Sequence, residues 1–117
     1  MLKLEHLINL SISNSQPVLL IDSFLPGFIL SSLDIGREFV TPVYFHSSQF
    51  LEEVDFSDAK FSADVSFVNA TFQIKADFSK ATFQKEADFS EARFEGEAIF
   101  SDSTFQKKAD FDVAAFH

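Results

Sequence analysis

Histidines stand at 6, 46 and 117, serines at 57, 79 and 101, and 18 Asp and Glu residues run along a chain of 117 residues that has no cysteine. From such side chains an acyl-transfer site, an acid–base pair or a metal centre would be built. Nucleophilic catalysis needs a serine within hydrogen-bond reach of a base. Here the three histidines fall in three separate regions, and Ser57, Ser79 and Ser101 recur every 22 residues with no histidine in step. The absence of cysteine removes thiolate metal sites and disulfides. Gly27, Gly36 and Gly96 are too scattered for a phosphate loop. Two carboxylates on neighbouring segments could mimic an acid–base pair, but the pattern described below makes a convex rod, a poor place to exclude water. No catalytic residue, cofactor or metal is expected.

Composition narrows the class. At this length, and with 46% hydrophobic residues, the chain is one domain able to bury a core. Seventeen Phe against one Tyr and no Trp favours rings without a polar atom to satisfy, which is filling for an interior rather than a binding surface. A formal charge of −9 argues against direct contact with nucleic acid or an anionic membrane and for a basic protein partner. The opening MLKLEHLINLSIS is interrupted by Glu5, His6 and Asn9, unlike a signal peptide. The longest apolar stretch, VLLIDSFLPGFIL, contains Asp22 and Pro26 and is too short to span a bilayer. A cytoplasmic protein is expected.

The elements that must position every other residue follow from an internal repeat. Rings stand at Phe45, Phe50, Phe56, Phe61, Phe67, Phe72, Phe78, Phe83, Phe89, Phe94, Phe100, Phe105, Phe111 and Phe116, alternating in steps of five and six. Two places before each stands Val43, Ser48, Val54, Ala59, Val65, Ala70, Ala76, Ala81, Ala87, Ala92, Ala98, Ser103, Ala109 or Ala114, all small or β-branched. As a helix, at about 100° per residue, this set surrounds the axis and leaves no seam. As very short strands, the small residue and the ring of each unit share one side while the residue between faces the other.

Since the next unit begins two or three residues later, the chain must turn a corner and keep the same side inward. That is a coil wound around its own side chains, with successive coils paired in parallel. Three units per coil would stack a five-residue side on a six-residue side. Four give 22 residues, and like stacks on like. Lys75 then lies between Glu53 and Glu97, and Lys80 between Asp58 and Asp102; Ser57/Ser79/Ser101, Thr82/Thr104 and Gln84/Gln106 form ladders of identical residues.

ADFSK (76–80), ATFQK (81–85) and ADFSE (87–91) resemble the units of the pentapeptide repeat family. The resemblance covers residues 43–117 and implies an all-β fold, a right-handed, four-sided parallel β-helix. The chain departs from the family pattern by a sixth residue in alternate units, Glu53, Asp64, Lys75, Glu86, Glu97 and Lys108, expected to bulge at corners. Residues 1–42 lack the alternation: Pro26 and Arg37 fall in small-residue slots, and an N-terminal cap or degraded first coil is expected there. The pattern runs to Phe116 without a cap, so a longer parent chain or an end-to-end homodimer through the C-terminal coil is expected.

Function then rests on the outer surface. One side carries Asp88, Glu91, Asp110 and Asp112, and the opposite side Asp55, Asp58, Asp77 and Asp102 against Lys80. These acidic faces are the candidate partner-binding residues of a non-catalytic, rigid repeat module. The resemblance implies one class of partner, since some pentapeptide repeat proteins imitate a DNA duplex and engage DNA gyrase or topoisomerase IV. The repeat region spans only roughly 3.4 coils, or about 16 Å, which is short for such a mimic. The alternative is a structural spacer within a larger protein, without a binding role of its own.

Overall fold

The computed structural model describes residues 38–117, together with the backbone of three strands, β1 (Val18–Leu19), β2 (Phe24–Leu25) and β3 (Phe28–Ile29). Except for these strands and residues 38–42, the expected N-terminal cap lies outside the described residues. Two-residue strands stack in parallel into four sheets that form the walls of a solenoid. Wall 1 contains β1, β5 (Val43–Tyr44), β9 (Val65–Ser66), β13 (Ala87–Asp88) and β17 (Ala109–Asp110). Wall 2 contains β2, β6 (Gln49–Phe50), β10 (Thr71–Phe72), β14 (Arg93–Phe94) and β18 (Ala115–Phe116). Wall 3 contains β3, β7 (Val54–Asp55), β11 (Ala76–Asp77) and β15 (Ala98–Ile99), and wall 4 contains β4 (Glu38–Phe39), β8 (Lys60–Phe61), β12 (Thr82–Phe83) and β16 (Thr104–Phe105).

From β4 onward, partners are one 22-residue coil apart, as in Val43 opposite Val65, Thr71 opposite Arg93 and Ala76 opposite Ala98. The four-sided coil expected from the phase of the repeat is therefore the architecture. At the N-terminal end the step is longer, with Val18 opposite Val43 and Phe28 opposite Val54. Phe39 stands six residues before Phe45, in step with the alternation; it is fully buried and stacks on Phe61 at 5.0 Å.

The interior is ring on ring. In the wall 2 column, Phe50/Phe72, Phe72/Phe94 and Phe94/Phe116 stack at 4.7, 4.8 and 4.8 Å with planes within 4°. Rings from walls 1 and 3 meet across the hollow edge-to-face, as at Phe67–Phe78 and Phe78–Phe89, both 5.5 Å. The small residues close the gaps: Ala76, Ala81, Ala87 and Ala92 are as inaccessible as the rings beside them. Ser48 and Ser103, which occupy the same slots, aim their hydroxyls at turn carbonyls, those of His46 at 3.4 Å and Phe100 at 2.7 Å.

Corners come in two kinds. After walls 1 and 3 the turn is tight, closed by bonds such as Ala81 N–H to the Phe78 carbonyl at 3.1 Å. The third residue of each tight turn has positive φ, near +58°: Ser47, Asp58, Asn69, Lys80, Glu91, Asp102 and Val113. That sign marks a type II turn, in which glycine is the usual occupant. After walls 2 and 4 the turn is wider and holds the sixth residue. Among the described residues no left-handed residue appears at these wide corners, so the extra residue relaxes the corner and the conformational cost falls on the shorter one. At one wide corner the coils approach closely: a Cβ on Gly96 would lie 2.4 Å from the Ile74 carbonyl oxygen.

Two outcomes follow from this packing. Phe83→Ala or Phe89→Ala should cost about 3–5 kcal/mol in urea unfolding, and Ala87→Leu should fail through overpacking, while Lys80→Ala should lie within about 0.5 kcal/mol of the parent. Gly96→Ala should lower the unfolding midpoint, although at an unobstructed position the change gains about 0.4–1 kcal/mol. A midpoint equal to or above the parent's would show that the corner has room for a methyl group.

Candidate functional site

The eight acidic candidates divide between two opposite walls and are not brought together across the rod. Asp88 and Asp110 are adjacent strand partners on wall 1, as are Asp55 and Asp77 on wall 3. Asp112 follows β17, Glu91 sits at the tight corner leaving wall 1, and Asp58 and Asp102 sit with Lys80 at the tight corner leaving wall 3.

Seven of the eight have a local structural role. Oδ1 of Asp55, Asp77, Asp88 and Asp110 accepts the backbone N–H two residues on, from Ser57, Ser79, Ser90 and Asp112 respectively, each at 2.9 Å. Asp55 also accepts the Ser57 hydroxyl at 2.5 Å. Each bond is an Asx turn that leads the chain into a tight corner. The other three, Asp58, Glu91 and Asp102, hold left-handed backbone positions, which Asp and Asn tolerate better than most residues. The acidic stripes therefore lie along walls 1 and 3 because those walls precede the tight corners.

Walls 2 and 4 are mixed. Gln49, Thr71 and Arg93 line wall 2, and Glu38, Lys60, Thr82 and Thr104 line wall 4. The expected Lys75–Glu53 pair forms at 3.9 Å. Lys80, by contrast, has no ion pair within 4.0 Å to Asp58 or Asp102, although all three share the same left-handed backbone. Lys60–Glu38 at 3.8 Å and Arg93–Glu95 at 3.6 Å complete the pairs among the described residues. All are exposed enough to be worth little individually.

Of the histidines, His6 lies outside the described residues. His46 lies beside Tyr44 on wall 1, with ring centroids 5.6 Å apart at 69°. His117 closes the last coil with its N–H on the Phe94 carbonyl at 3.0 Å. Among the described residues, no group of three or more His, Asp or Glu is close enough to hold a metal ion, and no helix is long and apolar enough to cross a membrane.

The rod is not convex everywhere. A shallow depression of about 240 Å³ lies on wall 1, lined by Tyr44, His46, Asp64, Val65, Ser66, Val68, Glu86 and Asp88. The sequence reading missed it. Its one signal was Ser66, the shortest side chain in the outward column of Tyr44, Ser66, Asp88 and Asp110. At the C-terminal coil, where an end-to-end contact is expected, cover is incomplete: Phe100, Phe105 and Phe111 are half-buried, Phe116 is 56% exposed and Val113 is 82% exposed.

Residues 45–93 and again 67–115, windows offset by one 22-residue coil, match the family described as pentapeptide repeats (9 copies). No curated protein and no solved structure matches the chain.

The double role of the stacked aspartates can be separated by substitution. Asp88→Asn keeps the oxygen that caps the Ser90 N–H and removes the repulsion from Asp110, so stability should be unchanged or slightly higher. Asp88→Ala loses the cap and should cost about 0.5–2 kcal/mol. Thermal unfolding of the two variants side by side checks this; equal losses would mean that the charge, not the cap, matters to the fold.

Proposed function

This chain belongs to the pentapeptide repeat family, and on that footing we propose that it is a rigid, non-catalytic module whose acidic walls engage a basic surface of another protein. The observation that carries the reading is the register of like charges. Asp88 stacks on Asp110 and Asp55 on Asp77, and like charges directly opposite one another weaken a sheet. Asn would cap the same corners without that repulsion. All four positions are nevertheless Asp, so the charge answers a requirement that the turn alone does not impose. A partner rich in Lys and Arg supplies that requirement.

The DNA-binding channel of a type II topoisomerase is a basic surface of this kind, and two acidic rows on opposite walls resemble the two phosphate rows of a duplex. The coil repeat of about 4.8 Å is longer than the phosphate spacing of about 3.4 Å per strand, so the likeness is one of sign and sidedness. The second reading, a spacer without a partner, draws on the service the same aspartates give to the corners.

Titrating the protein into a gyrase supercoiling reaction tests the topoisomerase assignment. Inhibition at micromolar concentration is expected, together with its loss in the variant carrying Asn at 55, 77, 88 and 110. No inhibition at excess removes the topoisomerase. Absence of any salt-sensitive binding to cationic protein partners removes the interaction module and leaves the spacer.

A further inference from the structure

Resting on that reading, we infer that the depression on wall 1 is the receptor for a single lysine or arginine side chain of the basic partner, and so that wall 1 carries the anchoring contact. The depression exists because Ser66, 6% exposed, is set low between the bulkier Tyr44 and Asp88. Its volume of about 240 Å³ falls below the ~300–1,000 Å³ of small-molecule pockets. It is the size of one inserted side chain, not of a cofactor.

The lining selects the charge of that side chain. Asp64, Glu86 and Asp88 line it, and among the described residues none of them has an ion pair within 4.0 Å. Asp64 Oδ1 accepts the Glu86 N–H at 3.2 Å and Asp88 Oδ1 the Ser90 N–H at 2.9 Å. These bonds hold the two carboxylates in place while leaving each a second oxygen. Across Ser66 from Asp88 the Tyr44 ring meets His46. An aromatic face beside carboxylates attracts an ammonium or guanidinium by ring quadrupole and charge together. An anionic or neutral side chain would gain neither contribution. Wall 3 has stacked carboxylates as well, but its outward column of Asp55, Asp77 and Ile99 contains no aromatic ring.

Tyr44 is the only tyrosine, and the chain has no tryptophan, so tyrosine emission reports on this depression alone. Hexa-arginine amide, free of aromatic residues, is the probe. The expected result is a saturable, salt-sensitive change in Tyr44 emission. Ser66→Leu, which fills the depression, should weaken binding by about two- to fivefold or more with an unchanged circular dichroism spectrum. Thr104→Ala, on wall 4, should leave the Tyr44 response intact. Tyr44→Leu, read through fluorescein-labelled hexa-arginine, gives a second measure in case Ser66→Leu disturbs the coil, and should weaken binding by the same factor. Binding that leaves Tyr44 emission unchanged and is insensitive to both wall 1 variants overturns the receptor while sparing the acidic-wall reading. No binding to the parent protein overturns both.

Discussion

The structure depends on a coincidence of two distances. Parallel strands pair at about 4.7–4.9 Å, and phenyl rings stack comfortably in the same range. A chain that returns one ring to each wall per coil therefore satisfies its backbone and its core in one movement. The columns show it: Phe83 on Phe105 at 4.6 Å and Phe89 on Phe111 at 4.9 Å, with planes parallel to 1°. Larger inward residues beside the rings would push the coils apart and break the ladder. The alanine, serine or valine two places before each ring is as necessary as the ring itself.

From that constraint come the corners, and from the corners the chemistry of the surface. A coil of four short walls must turn four times with few residues. The two tight turns use left-handed backbone at residues other than glycine, including Lys80, Glu91 and Val113, at a cost of the order of 1 kcal/mol each. The stacked coil supplies the compensation, since the same turns donate to the next coil along the chain, as Lys80 N–H does to the Ser101 carbonyl at 2.8 Å. Aspartates in the strand before the turn cap it. Acidic walls and tight corners thus share one origin, and the functional question reduces to why the caps carry charge.

Most of the fold was legible because the repeat admits few solutions. Strict alternation of five and six excluded a helix by angle and a three-sided coil by phase, and the ring columns follow from arithmetic on Phe positions. The corners were less legible. Without glycine at positions 58, 69, 80 or 91, nothing in composition marks a positive φ, and the sixth residue, the visible departure from the pattern, bends without one. Register placed Lys80 in line with Asp58 and Asp102, but a shared column did not bring the charges within pairing distance. Phe39 kept step with the rings, yet Arg37 in the small slot obscured its membership of the first regular coil.

By itself the sequence determined period, inward set, number of walls and the walls on which the repeated aspartates fall, because these are consequences of spacing along one chain. Only the tertiary structure decided which aspartate oxygens are held by turns, which charges meet, and where the surface dips. Those outcomes depend on the relative sizes and directions of side chains one coil apart, such as Tyr44 above Ser66. A linear pattern assigns such residues to the same column, but it is the stacked coils that bring them into contact.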